Sequence, residues 1–343
     1  MSTKIRAIIS ELLQVRKPED EIRIGERLRN YILELQENDL QELDETQDQW
    51  LGSGLALAPR YASACLKDYH RTVRFIQGVQ QAIQDQLKQK EDEVIRILYA
   101  GCGPHAVQLL PILHLFPKER LEIHLLDFHQ YSIQAVQKLV SMLDLEVYHI
   151  SYHSGDAAEF SHPEQQKFDL ILCETMFEAL FREPQMALSL HLMPQLSESG
   201  IFIPEQIQID VVQTNYRSLP RIKEDMELEN KNQQRQHPIP LGEALILNKD
   251  FVNSFNPSKT RQLLTSHFQY QLSQQNSHRE VVLLTKVKIY QEFQLDDGES
   301  LISNPKILGT LESCAPSGKF WLSYVWDQQP KWLISSRPLS SST

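Results

Sequence analysis

Gly101-Cys102-Gly103 closes an apolar run from Val94 to Ala100, the first place in this chain where residue type and spacing suggest chemistry. A bulky, β-prone segment running into two small residues predicts a buried central strand and a turn at which a ligand can approach the backbone closely. In α/β folds such turns bind nucleotides. The run Leu121 to Asp127 predicts a second strand ending in an acid, about 25 residues after the glycines, the spacing at which a neighbouring strand's carboxylate meets ribose hydroxyls. Between them, Ala106 to Phe116 reads as a helix, with Pro104 suited to its first position and Pro111 expected to kink it. Two further acids follow the apolar run Phe168 to Cys173: Glu174, and Glu183 nine residues later. On a straight helix, at about 100° per residue, they would face opposite sides, whereas Glu174 and Glu178 would share a face. Glu174 and Glu183 can act together only if the chain between them doubles back.

The elements that must position these residues fall into three zones. Residues 1–92 are helical in pattern, with Ile5, Ile8, Ile9, Leu12 and Leu13, then Ile24, Leu28, Tyr31, Ile32 and Leu35 at helical spacing, and a long amphipathic stretch from Tyr61 to Lys90 after Pro59. Residues 93–204 alternate strands and helices in parallel-sheet rhythm, with further strands at Glu146 to Tyr152, Phe168 to Cys173 and Gly200 to Ile203. Residues 205–343 are β-rich, ending in a hairpin built on Phe320 to Trp326 and Lys331 to Ile334. A polar insert at 217–240 interrupts this zone and reads either as a loop or as an arm that orders against another subunit. The expected fold class is α/β.

Composition excludes several functions. A net charge of −11 with no run of lysine or arginine argues against nucleic acid as a partner. No apolar stretch of signal or membrane-spanning length is found, so a cytoplasmic protein without a membrane partner is expected. The four cysteines, Cys65, Cys102, Cys173 and Cys314, lie far apart, against both a disulfide framework and a zinc site of cysteine type. His149, His153 and His162 lack ligand spacing on any one element, so no metal is expected.

The order Leu66-Lys67-Asp68-x-x-Arg71-Thr72, Gly101-Cys102-Gly103, Asp127, Glu174 with Glu183, then Ile203-Pro204-Glu205 resembles the protein arginine methyltransferases. The motifs span roughly residues 60–212 and the architecture spans the whole chain. The resemblance implies a class I methyltransferase using S-adenosylmethionine (SAM), with a Rossmann-like domain, a helical N-terminal region, a C-terminal β-barrel-like domain and a homodimer made through the arm. It implies that Arg71 binds the methionine carboxylate, that Gly101 and Gly103 admit the methionyl and ribose portions, and that Asp127 accepts from the ribose hydroxyls. Asp156 and Ala157 would lie against the adenine. Glu174 and Glu183 would grip a guanidinium and turn a nitrogen lone pair toward the methyl group.

Two departures from the family's pattern bear on the cofactor turn and on the substrate. Pro104-His105 replaces the family's third glycine, and His105 could contact the SAM carboxylate, cap a helix or face water. The family's Thr-His-Trp loop is missing; its nearest counterpart is Glu299-Ser300-Leu301-Ile302-Ser303-Asn304-Pro305. Because that loop helps hold a protein arginine in the family, its loss points to a small guanidine- or amine-containing molecule rather than a protein. The alternatives are a SAM-dependent aminobutyryl transferase resembling the nicotianamine synthases, and a catalytically silent SAM-fold protein that binds a partner.

Overall fold

The computed structural model describes residues 3–36, 47–223, 228–229, 237–255, 261–270, 279–314 and 318–337. Helices α1 (Thr3–Leu12) and α2 (Pro18–Leu35) bury the periodic Ile5, Ile9, Leu12, Ile24, Leu28 and Ile32 against one another and the rest of the core. A short hairpin absent from the sequence reading follows, β1 (Gln49–Leu51) with β2 (Gly54–Ala56). The single stretch expected from Tyr61 to Lys90 is broken into α3 (Pro59–Ala64), a 3₁₀ turn at Cys65–Lys67, and α4 (Tyr69–Gln89). The break falls at Asp68, whose carboxylate accepts from the Arg71 N–H at 3.4 Å and caps α4.

Five strands, β3 (Ile95–Ala100), β4 (Leu121–Asp127), β5 (His149–Ser154), β6 (Phe168–Cys173) and β7 (Leu196–Ile203), form an all-parallel sheet in the order β5-β4-β3-β6-β7. Helices α5 (Gln130–Met142) and α6 (Gln185–Leu192) belong to this layer. Strand β6 is buried at every position and β3 at all but one, as expected for central strands covered on both faces. The order reverses between β3 and β6, which opens a crevice beyond their carboxyl ends where α/β sheets take ligands. This is the expected α/β class.

The chain then forms β8 (Gln206–Thr214), the two-residue strands β9 (Arg221–Ile222) and β10 (Leu228–Glu229), β11 (Ile239–Asn248), β12 (Gln262–Gln269), β13 (Glu280–Tyr290), β14 (Phe293–Leu295), β15 (Lys306–Thr310), β16 (Lys319–Val325) and β17 (Lys331–Ser335). Their ladders are antiparallel and form two larger sheets, one ordered β11-β8-β13-β14 with β15 also on β13, the other β12-β16-β17. Among the described residues no ladder closes these sheets into a barrel; they share an apolar core instead. Within the insert at 217–240, residues 224–227 and 230–236 lie outside the described residues, and the expected dimer arm falls in part on them. No described helix is long and apolar enough to cross a membrane.

The segment after the glycine turn departs from expectation. No α-helix forms over Ala106 to Phe116; Ala106 has a φ of 40°, and only a 3₁₀ turn forms at Leu110–Leu115. Pro111 lies in the first turn of that 3₁₀ segment, where its missing N–H leaves no bond unmade. Gln36, buried at the end of α2, supplies what a helix would have provided. Its amide donates to the carbonyls of Pro104 and Ala135, both at 3.1 Å, and its oxygen lies 2.6 Å from His105 Nδ1. His105 is therefore neither a helix cap nor exposed to water; the Gln36 oxygen requires the proton on Nδ1, and Nε2 accepts from Ser63 Oγ at 2.8 Å. Burial pushes its pKa down to about 3, which keeps the ring neutral. Replacing Gln36 by Ala would orphan His105 Nδ1 and the Pro104 carbonyl, and should lower the unfolding free energy in urea by about 2–3 kcal/mol.

Candidate active site

Four of the candidate groups leave the sheet at its carboxyl edge. Gly101 and Gly103 adopt φ values of 69° and 62°, conformations that favour glycine, and the Gly101 and Cys102 N–H groups donate to Leu126 O at 2.8 and 3.1 Å. A Cβ at Gly101 would stand 2.5 Å from Thr175 Cγ2, so the turn passes close against the end of β6. Asp127 is buried and shapes the turn as well as facing the crevice: Oδ2 accepts from Gly103 N and Oδ1 from His129 N, each at 2.9 Å. Burial raises its pKa, and the two backbone donors draw it back. Each Asp127 oxygen accepts one of these backbone bonds, which leaves lone pairs for further donors. Asp156 follows β5 beside it; one of its oxygens caps a turn by accepting from Ala158 N at 2.8 Å, and Ala157 is half-buried against the core.

Arg71, on the first turn of α4, reaches across to Glu174 at the end of β6, and the two form a buried ion pair. Gln108 adds a long amide contact of 3.4 Å to the same Glu174 oxygen. Burial opposes the Arg71 charge, but the Glu174 carboxylate, joined by Cys65 and Asp68, more than offsets it and holds the guanidinium charged. Burial raises the Glu174 pKa, with Arg71 pulling the other way. Cys65 joins the same cluster. Burial raises its thiol pKa, Arg71 lowers it, and the charges of Glu183 and Glu174 act on it next.

The chain from Glu174 to Glu183 doubles back, as the joint action of the two acids requires. A single 3₁₀ turn at Glu178–Leu180 is its only helical feature, and Gln185 staples the ends together: its oxygen accepts from Thr175 N at 2.8 Å and its amide donates to Cys173 O at 3.0 Å. Glu178 turns away to Lys306 Nζ at 2.6 Å, so the straight-helix pairing with Glu174 does not form. Glu183 comes close enough for the Glu174 charge to act on it. Burial and then that like charge push its pKa up to about 7, against the pull of Arg71. The unforeseen hairpin covers this side: Leu55 N donates to Arg182 O at 2.8 Å, and a Cβ on Gly54 would meet Pro184 N at 2.8 Å. Thr175, Gln185 and Gly54 have roles that depend on contacts remote in the chain or on backbone geometry. Only Gly54's residue type offered a signal.

No family model and no curated protein matches this chain. Among solved structures, the chain is similar to the Trypanosoma brucei PRMT1 enzyme-prozyme heterotetrameric complex with AdoHcy, at 13% identity and a TM-score of 0.47, covering 77% of this chain and 87% of that one. It is likewise similar to Arabidopsis thaliana protein arginine methyltransferase 10, at 11% identity and a TM-score of 0.49, with the same coverage.

The raised Glu183 pKa sets a pH dependence. The folded state holds this proton more tightly than the unfolded chain, so the stabilisation is complete below about pH 4.5 and disappears as pH climbs through about 7. The stability of the wild type relative to Glu183→Gln, measured by urea unfolding across this range, should therefore fall steadily with rising pH.

Proposed function

We propose that this protein is a SAM-dependent methyltransferase acting on the nitrogen of a small guanidine- or amine-containing molecule. The observation that carries the reading is the convergence of the Arg71–Glu174 pair, Glu183, the glycine turn and Asp127 at the carboxyl edge of β3, β4 and β6. The surroundings fit such a cofactor. Glu174 Oε1, Gln108 Oε1 and His129 Nε2 are buried without a hydrogen-bond partner, and a Cβ added at Gly155 meets nothing within 4 Å. Polar atoms shielded in this way suit a ligand that brings its own donors and acceptors.

In this reading Asp127 accepts from the ribose hydroxyls, Asp156 faces the adenine amino group, and the Arg71 guanidinium, with donors beyond the one given to Glu174, binds the methionine carboxylate. When bound, SAM supplies an electrophilic methyl group on a sulfonium sulfur. Glu174 stays ionised beside Arg71 and orients the cationic acceptor, and Glu183 completes the grip from the returning strand of the loop. A carboxyl with a pKa of about 7 is suited to take up the proton the acceptor nitrogen releases. The segment Glu299 to Pro305, the nearest counterpart of the family's substrate loop in the sequence, is fastened to α4 by Asp68, which accepts from Ser300 Oγ at 2.6 Å and Leu301 N at 2.9 Å. With no histidine or tryptophan offered there, the reading favours a compact acceptor over an extended peptide.

Calorimetry with S-adenosylhomocysteine should show binding that Asp127→Ala weakens by about 1–3 kcal/mol. Unchanged affinity would remove the cofactor assignment. With a panel of free arginine, guanidino acids and amines against arginine-rich peptides, the small molecules should be the better substrates. Glu174→Gln should then lower turnover at least about 10²-fold with SAM affinity nearly unchanged, and Glu178→Gln should be mild. Release of S-adenosylhomocysteine identifies methyl transfer, whereas methylthioadenosine would assign aminobutyryl transfer instead.

A further inference from the structure

A second group of ligand-type side chains lies on the β4–β5 face of the sheet, apart from the crevice. Glu122 and His124 are two residues apart on β4 and so project from the same face. His162 reaches them from the segment between β5 and β6. His124 Nε2 is 3.1 Å from Glu122 Oε1, and His162 Nε2 is 3.5 Å from that same oxygen. In a tetrahedral zinc site with bonds of about 2.0–2.1 Å, neighbouring ligand atoms stand roughly 3.3–3.4 Å apart, and the two measured separations bracket that edge. All three ligand atoms lie within 4.8 Å of one another. His162 is 4% exposed, and its Nε2 is aimed into the group without a hydrogen-bond partner.

The surroundings hold the ligands in place. His124 Nδ1 lies 3.0 Å from His153 Nε2, so with Nε2 turned to a metal its other ring nitrogen can donate to His153, the usual way a ligating imidazole is oriented. Arg96 lies 3.2 Å from the other Glu122 oxygen, Oε2, which leaves Oε1 for a one-atom ligand. Phe168 packs against both ligand rings, with centroids 5.5 Å from His124 and 5.2 Å from His162. Two contacts must yield on binding: the His124 Nε2–Glu122 Oε1 hydrogen bond is given up to the metal, and His162 Nδ1, which accepts from Glu164 N at 3.1 Å, takes the ring proton once a metal sits on Nε2.

We propose that Glu122, His124 and His162 form a zinc site with one open position, which clamps the segment between β5 and β6 onto the sheet. The ligands come from separate elements, which is why spacing along any one element gave no sign of them. Because Asp156 opens the same segment, zinc would steady one wall of the crevice, but the metal site stands whether or not SAM binds.

The test uses the full chain, stripped with a chelator and titrated with zinc sulfate against a chromophoric competitor. Uptake should saturate at about one zinc per chain, raise the thermal midpoint by several degrees, and disappear in both Glu122→Gln and His162→Asn. His149→Asn, which removes a nearby exposed histidine, should bind as the wild type does. Cobalt substituted for zinc should give the intense visible absorption of a tetrahedral site. The absence of saturable uptake, or uptake that survives in both ligand variants, would overturn the proposal. Should His162→Asn fail to fold without metal, Glu122→Gln decides the matter alone, since its amide keeps the shape of a partly exposed side chain.

Discussion

The buried pairing of Arg71 with Glu174 is the constraint to which much of the remaining structure answers. Withdrawing both charges from water costs several kcal/mol for each, and their attraction offsets this only when both ends are held in place. Glu174 is held at the end of a wholly buried central strand, and Arg71 on the first turn of a helix capped by Asp68. Neither could be an ordinary surface residue. The pair also adds to what burial does at the neighbouring acid: burial raises the Glu183 pKa first, the Glu174 charge second, and the smaller pull of Arg71 leaves it at about 7.

Charged groups carry this arrangement outward from the parallel sheet. Arg74, one turn beyond Arg71 on α4, donates to Glu21 of α2 and to Glu299 of the C-terminal region, at 3.1 and 2.6 Å. His70 Nδ1 lies 2.6 Å from the same Glu21. Asp68 turns one oxygen to its own helix and the other to Ser300 and Leu301. Helix α4 therefore collects the N-terminal hairpin on one side and the segment from Glu299 to Pro305 on the other, while its first turn feeds the crevice. This gives the short motif Asp68-x-x-Arg71 a structural meaning: the aspartate anchors the wall and the arginine enters the site.

What was legible in the sequence followed from periodicity and from strand ends. The runs ending at Ala100, Asp127 and Cys173 emerge as adjacent strands of the sheet, so the glycine turn, Asp127 and Glu174 were bound to meet at one edge. What stayed hidden depended on single long-range hydrogen bonds. Gln36 is an unremarkable residue at a helix end, yet it supplies support where the chain, with Ala106 at a φ of 40°, forms no helix. His105 looked free to serve the ligand because nothing local showed that Gln36 and Ser63 would claim both of its nitrogens. The turn between Glu174 and Glu183 could be required by geometry but not seen, since its staple, Gln185, is polar and lies at the start of a helix with no distinguishing pattern.

The same loop shows what the antiparallel region contributes. Ala179, Leu180 and Arg182 have φ values of 50°, 63° and 68°, a conformation that costs non-glycine residues on the order of 1–3 kcal/mol each. Such a path persists only when its surroundings over-determine it, and here they do. Trp332 Nε1 donates to Ala179 O at 2.9 Å, Tyr324 OH donates to Leu180 O at 2.7 Å, and Thr285 Oγ1 accepts from Ala179 N at 3.2 Å. Arg182 N donates to Pro330 O at 2.9 Å, and Lys306 holds Glu178 outward. Strands β13, β15, β16 and β17 and the turn at Pro330 thus grip the loop from the side opposite the crevice. The aromatic side chains that fill their core also fix the backbone that delivers Glu183. A loop with glycine at these positions would adopt the path more cheaply but would leave it when unloaded; a strained loop under many restraints keeps its two carboxylates at one separation before any ligand arrives.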